Sequence, residues 1–577
     1  MKDFFKEVAL SFALSFIWAL AWFRPLLSRS QEVNDSGLPL GDMFFPTTNP
    51  ELLIGKGVDL FGSIWMVFQT RDIVTGGSTK LPGMYYPVGF DLGQNTGYAW
   101  FDALLGVPLL NWIGNPGFWN LHVLMILTLS MTALMILFRQ FQLSWWLTIP
   151  LALLCFTNPF MIDELNLGRP TQIFLLPQAL LLAVFVKIPL RGFVGWHGIL
   201  AGVFMSMACL TYWFTGIATG VCLVLWYLWL LVQQENKRQG LVFGVLGVIT
   251  VSVIILSVTW PMSSRILSGQ MQYSYKHLLG RPDHVYAWSS LALQTEYSIS
   301  SLKDLIYVFK ASCQYLPFFV VIVMASAVTW GRSLKGPLIA LWIFTLGMSL
   351  SSGLNIFGIH IPTGLAVLEW IFPPMLRCQF EGRNVVVANL LGFMIVAYTL
   401  SDLKVLSRVV FSRFQIQHVI GVLLLGFAVY LLPTPKSLAV TEFAKSQESN
   451  QLVKNNPGAI LELPLMASNY TFVQQMYHQQ PIFGGMGFDT VRPLEHKRYA
   501  KGHPSIDQML TVFETGYFNK PLSSKHIQYL VEDGFRWVVI YPEFTETPVE
   551  RWSHLIGVTG QEVDGKWYFD LQDVTTR

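Results

Sequence analysis

Between Ser28 and about Gly117 the chain carries five aspartates, Asp42, Asp59, Asp72, Asp91 and Asp102, interleaved with aromatic residues. A carboxylate in such a setting suits two kinds of chemistry. It takes the proton of a hydroxyl nucleophile as a general base, or it holds a divalent cation such as Mg or Mn against a phosphate. Asp59 opens the segment 58–73, in which Leu60, Ile64, Val67 and Phe68 fall at roughly helical spacing. That spacing predicts an amphipathic helix lying in the membrane interface, with Asp59 in its first turn, where the helix dipole favours an acid. Capping this helix is the simpler use of Asp59, and both readings stand at this stage.

Other segments supply a complement. The run 163–170 holds Glu164 and Arg169, and a later stretch holds Arg377 and Arg383 beside Glu369 and Glu381. Guanidinium groups bind phosphate bidentately, so paired arginines at a membrane surface suit a lipid phosphate; snorkelling, or pairing with the nearby glutamates, is the bland alternative. The stretch 261–312 interleaves aromatics with polar groups, among them Tyr273, His284 and Trp288, a pattern suited to sugar stacking and equally to any interface. There is no P-loop, HExxH, CxxC or GxSxG motif.

What must position these groups is mostly apolar. The 577 residues are 53% hydrophobic and 13% charged. Soluble proteins have about 25% charged residues, so the deficit points to an integral membrane protein. A net charge of +3 gives no ground for a nucleic-acid partner. Five cysteines do not make a disulfide framework. Apolar runs of the length needed to cross a bilayer predict about eleven spans, at 8–27, 119–138, 144–161, 173–190, 194–213, 215–233, 240–260, 313–331, 336–355, 385–401 and 416–433. Lys and Arg concentrate in alternate short loops, at Arg139, Lys187 and Arg191, Lys237 and Arg238, Arg332 and Lys335, and Lys404, Arg408 and Arg413. The positive-inside rule therefore expects a cytoplasmic N-terminus, with residues 28–118, 261–312, 356–384 and the tail outside.

Pro433 and Pro435 end the last span, and the composition then changes. Residues 459–463 and 535–541 read as strands, and 523–533 as a helix. Ser505 with Gln508 reads as a capping box opening a helix that ends near Gly516. Asp564-Gly565 marks a hairpin. The expected division is a transmembrane domain over 1–433, including the large first loop 28–118, and a soluble α/β domain over 434–577. That domain is either a docking lid or a substrate-binding module.

Four segments together resemble the GT-C-type membrane glycosyltransferases, in particular a bacterial group with an extracytoplasmic C-terminal domain. They are Asp59 followed by Ile64-Trp65; Tyr86-Pro87-Val88-Gly89-Phe90-Asp91-Leu92 followed by 105–109; Phe372-Pro373 leading to Arg377 and Arg383; and Leu461-Glu462-Leu463-Pro464 followed by 474–481 and Gly484-Gly485. Gly168-Arg169 stands where that group often has Gly-His, and Arg377 and Arg383 are spaced more widely than its pattern. The resemblance implies an inverting transferase in a bacterial cytoplasmic membrane, with a polyprenyl-phosphate-linked sugar as donor and membrane lipids around it. It implies Asp59 as base or metal ligand with Asp42 in reserve. Arg377, Arg383 and Arg169 would meet the donor phosphate, and Asp91, Tyr86, Glu164 and His284 the substrates. A non-catalytic scaffold that docks protein partners through its outer domain is the alternative. A transporter fits less well, because inverted repeats are not apparent and charges within the spans are scarce.

Overall fold

The structure is a computed structural model. It describes residues 2–29, 52–56, 58–95, 101–114, 117–267, 297–299, 335–350, 353–356, 359–363, 384–410, 416–431, 440–442, 447–463, 468–485, 493–515, 520–542, 545 and 547–575. The predicted span 313–331, and with it Asp42, His284, Arg377 and Arg383, lies outside the described residues.

The chain divides into two compact units. The first comprises Met1–Thr48, Tyr98–Asp102 and Asn120–Leu438. Four of its described helices are long and apolar enough to cross a membrane: Phe118–Arg139, Pro170–Pro189, Trp213–Gln233 and Lys237–Pro261. A fifth is added if Trp145–Phe156 and Phe160–Asn166, bent by 55° where they join, count as one span. The straight span expected at 144–161 is thus corrected. Thr157 closes the first helix, and Asn158 with Pro159 starts another, the Asn158 carboxamide accepting from the Met161 amide. Helix Lys237–Leu267 turns Leu241, Val245, Val248, Ile249 and Val253 outward. Such a face is stable in hydrocarbon and unstable in water, so this is a membrane protein.

Close backbone approach holds this helix to His197–Thr211. A Cβ on Gly198 would stand 2.1 Å from the Phe243 carbonyl oxygen, and one on Gly202 would stand 2.6 Å from the Thr250 Cβ and 2.7 Å from the Gly247 oxygen. Small residues at such a seam let two helices meet where lipid offers no hydrophobic drive. At the other end of the chain, Arg139 closes the helix Phe118–Arg139 with an ion pair of 2.6 Å to Glu7. A three-stranded sheet joins Tyr297–Ile299, parallel, to Gly353–Ile356, which pairs antiparallel with Ile359–Pro362. Residues from the stretches 261–312 and 356–384 therefore lie on the same side.

The second unit comprises Asn49–Gly97, Ala103–Trp119 and Ala439–Arg577. This differs from a boundary at 433/434, because most of the first loop belongs with the tail. The pairing is direct. Strand β1 (Leu52–Ile54) runs antiparallel to β2 (Val440–Glu442). Helix α1 (Val58–Val74) packs on α2 (Ser468–His478), with the Trp65 and Phe472 rings 5.2 Å apart. A mixed four-stranded sheet forms the centre, in the order β5 (Gln561–Val563), β6 (Lys566–Asp570), β4 (Phe535–Ile540), β3 (Ala459–Leu463). Asp564 and Gly565, at φ 49° and 71°, make the two-residue turn between β5 and β6. One face of the sheet presents Leu461, Leu463, Val538, Ile540 and Phe569 to the apolar core completed by Ile506, Ile527 and Leu530. Those last three come from helices α4 (Pro504–Thr515) and α5 (Ser524–Glu532), which follow α3 (Leu494–Gly502).

The capping box expected at Ser505 is not formed. Pro504 takes the first helical position, the Ser505 hydroxyl donates to the His526 carbonyl, and the Gln508 amide donates to the Lys520 carbonyl. The first loop is fixed onto the tail by main-chain bonds. Tyr85 N donates to Gly484 O (2.9 Å), Tyr86 N to Ile482 O (3.1 Å), and Ile482 N to Gly83 O (2.8 Å).

Two outcomes follow from this packing. Gly202→Leu is expected to lower the unfolding temperature of the detergent-solubilised protein, because overfilling a closed seam costs about 1–3 kcal/mol. Gly426→Leu, at a position with nothing within 4 Å, is the control that leaves it unchanged. In the second unit, a Cβ at Gly534, where φ is +91°, would lie 2.4 Å from the Tyr86 hydroxyl oxygen. Tyr86→Phe is expected to cost about 1 kcal/mol for one lost hydrogen bond, and Gly534→Ala more. The double variant should fall short of the sum, since Phe removes the clashing oxygen; strict additivity in chemical denaturation would contradict the contact.

Candidate functional site

Asp59 sits in the first turn of α1, half-buried. The rest of that helix corrects the interfacial expectation. Leu60, Phe61, Ile64, Trp65, Val67, Phe68 and Thr70 are all buried, and together they cover more than half of the helix's circumference rather than one narrow stripe. A helix buried over that much of its surface packs as a core element rather than floating on headgroups. Trp65 meets Phe472, and Phe68 meets Phe118 at 6.1 Å. The Trp119 indole N–H donates to the Ile54 carbonyl (2.9 Å), which ties the start of the helix to the same core. Asp59 is therefore carried on a rigid element, at the end where backbone N–H groups favour a negative charge.

The neighbouring acid Asp72 is different. It is exposed and paired with Arg71 at 2.8 Å, on the surface of the last turn. Asp91 lies in a two-residue strand opposite Lys80, half-buried. Tyr86 is engaged inside the second unit. Its hydroxyl donates to the Asp533 carbonyl (2.7 Å), and its ring stands edge-on to Phe535 at 5.3 Å. The Asp533 carboxylate in turn accepts from the Tyr499 hydroxyl. Tyr86 thus anchors the loop rather than presenting a free ring to a sugar.

In the membrane unit the structure joins Glu164 to Arg169. The pair is 3.2 Å apart with side chains only 8% and 21% exposed, and the Arg169 amide donates to the Glu164 carbonyl through a turn in which Gly168 has φ +70°. The next residues form a 3-10 turn, Pro170–Ile173. From it Thr171 donates to the Asp102 carboxylate, which is buried, and Phe174 stacks on Phe101 at 5.8 Å. Sequence reasoning counted Asp102 among the loop acids and did not select it. The signal it lacked was the partner, 69 residues away. A buried ion pair alone costs desolvation that its attraction barely repays, so Glu164–Arg169 beside Asp102–Thr171 is a polar cluster whose presence in a membrane unit calls for a functional role.

Asp42, Arg377, Arg383 and His284 lie outside the described residues. Among the described residues there is no group of three or more His, Cys, Asp or Glu side chains that could hold a metal ion.

No family model and no curated protein matches this chain. Solved structures do. The oligosaccharyltransferase of Archaeoglobus fulgidus, in complex with Zn and sulfate, aligns with 87% of this chain at 11% identity and a TM-score of 0.47, and this chain spans 66% of its length. ArnT from Cupriavidus metallidurans, bound to undecaprenyl phosphate, aligns with 91% of this chain and 95% of its own at 13% identity and a TM-score of 0.35. The arabinofuranosyltransferase AftD from Mycobacteria, as its R1389S mutant, aligns with 94% of this chain at 13% identity and a TM-score of 0.54; this chain spans 38% of it. The likeness to AftD is one of fold, and it agrees with the arrangement of apolar helices described above: this chain has the fold of a GT-C-type membrane glycosyltransferase.

Proposed function

We propose that this protein transfers a sugar from a polyprenyl-phosphate donor to a glycan, lipid or protein acceptor at the outer face of a bacterial cytoplasmic membrane, with inversion at the sugar carbon. The observation that carries the reading is the place of Asp59, a half-buried carboxylate in the first turn of a mostly buried helix, within a chain of GT-C-type fold. In this reading the N-terminus is cytoplasmic and the tail extracytoplasmic, as the Lys/Arg bias expects. The strand pairing of β1 with β2 supports a shared side for the first loop and the tail.

The step balances without a cofactor. The acceptor hydroxyl oxygen attacks the sugar carbon as its proton passes to the Asp59 carboxylate. The bond from that carbon to the phosphate oxygen breaks, and the polyprenyl phosphate leaves with the electron pair. Arg377 and Arg383 are the cations proposed to meet the departing phosphate, with Arg169 held in orientation by Glu164. Asp91 lines the acceptor side, and Asp42 is the reserve base.

A second reading, a non-catalytic scaffold that docks partners through its outer unit, is favoured by one observation: Tyr86 and Arg169 have internal partners. Asp59 separates the two. Glycan and lipid-linked sugar profiles are compared in a deletion strain complemented with wild type, Asp59→Asn or Asp72→Asn. Asp59→Asn is expected to reduce transfer by about 10²–10⁴-fold, the usual contribution of a general base, with an unchanged unfolding temperature. Asp72→Asn, altered in a surface ion pair, should match wild type. Products from Asp59→Asn equal to wild type would support the scaffold.

A further inference from the structure

A charged side chain lies inside the outer unit where the sheet meets α2. Alternation along β3 sends Ala459, Leu461 and Leu463 into the apolar core, so Glu462 points to the opposite face. It is 2% exposed. On that same face, by register and alternation, lie Tyr541 just beyond β4 and Lys566 at the start of β6, both buried. The Lys566 ammonium stands over the Tyr541 ring, 5.1 Å from its centroid. Covering them is α2. Its Thr471 hydroxyl is hydrogen-bonded to the Glu462 carboxyl, and its His478 is buried near enough to Lys566 to feel its charge. One Glu462 oxygen, Oε2, has no hydrogen-bond partner. The next residue along α2 is Phe472, the ring that meets Trp65 of α1. Helix α1 carries Asp59.

We propose that Glu462 is a positioning residue: bonded to Thr471 beneath α2, it fixes the seat of that helix and, through the Phe472–Trp65 contact, the seat of α1 and Asp59. The functional consequence rests on the reading of Asp59 as the base; the mechanical link does not. Two physical facts support the link. An unpaired buried oxygen is costly unless the group stays neutral. Burial raises the Glu462 carboxyl from 4.5 to about 8, although Thr471 and the Lys566 charge both pull it down. The protonated acid is thus the form that fits the closed seat. Ionisation favours states in which α2 lifts and water reaches the carboxylate.

His478 acts in the opposite sense. Burial, helped by Lys566, lowers it from 6.5 to about 3. Opening the seat releases a proton from Glu462 between pH 4.5 and 8 and takes one up at His478 between pH 3 and 6.5. The two slopes offset each other from pH 4.5 to 6.5. From pH 6.5 to 8 only the Glu462 slope remains, and stability of the seat falls as pH rises.

Hydrogen exchange on the full chain in detergent tests the link. After correction for intrinsic rates, amides of α1 and α2 are expected to open up to about tenfold more per pH unit from pH 6.5 to 8, while β4 stays protected. Glu462→Gln should abolish that slope, and Thr471→Val should raise opening at every pH while keeping it. A slope that persists in Glu462→Gln, or β4 opening together with α1, overturns the proposal. Transfer assayed over the same pH range is the second arm. Activity in wild type should fall from pH 6.5 to 8 and stay flat in Glu462→Gln. If exchange behaves as expected but transfer ignores Glu462, the latch stands and the assignment of Asp59 as base fails.

Discussion

Three main-chain hydrogen bonds decide the architecture of the second unit. Residues 83–86 lie along Ile482 to Gly484: Tyr85 and Tyr86 donate to Gly484 and Ile482, and the Gly83 carbonyl accepts from Ile482. Added to the pairing of β1 with β2, they merge two stretches of chain that are separated by the whole set of membrane helices. Close fit reinforces the join. A Cβ on Gly485 would run into the Tyr85 ring at 2.3 Å, and one on Gly534 into the Tyr86 hydroxyl. Backbone bonds of this kind satisfy main-chain groups that burial takes from water, which is why a loop rich in Gly, Tyr and Pro can bury Met84, Tyr85 and Phe90. Loop and tail therefore fold as one core.

That core has consequences for chemistry. An acid on a mobile loop samples many positions, and a general base must be held near its target proton. Here α1 buries Leu60, Ile64, Trp65, Val67, Phe68 and Thr70, so packing rather than a free loop holds its first turn. Its polar surface is concentrated at Arg71 and Asp72 in the last turn. The second polar concentration, Glu164 with Arg169 and Asp102 with Thr171, belongs to the membrane unit and is built by a turn at Gly168 and the 3-10 segment after it.

The membrane helices use a different physics from the second unit. Lipid is as apolar as leucine, so apolar area does not drive helices together there. Glycines at the seam between His197–Thr211 and Lys237–Leu267 allow dispersion contacts at backbone range instead. The outward face of Lys237–Leu267 stays apolar because hydrocarbon is its solvent. In the second unit, by contrast, burial from water builds the core around the sheet, and the buried Glu462 carboxyl is bonded to Thr471.

Much of this was legible in the residues themselves. Apolar run length marked the helices at 119–138, 215–233 and 240–260, and short apolar runs, β-branched at 535–541, marked the strands at 459–463 and 535–541. Asp564-Gly565 specified its turn because few other pairs adopt positive φ at both positions. Those signals are local, set by sterics and by the period of the chain. Three matters were not local. The break at Asn158-Pro159 was hidden in an apolar run. The helix at 58–74 read as interfacial because its cover, α2, lies some 400 residues on. Glu462, read only as part of a short strand, is enclosed by α2 and Lys566. Sequence alone determined the apolar run lengths of the membrane helices and the GT-C-like pattern of its motifs. Only tertiary structure decided which carboxylates are enclosed and what encloses them, because burial and pairing depend on partners that the chain brings together in space and not in order.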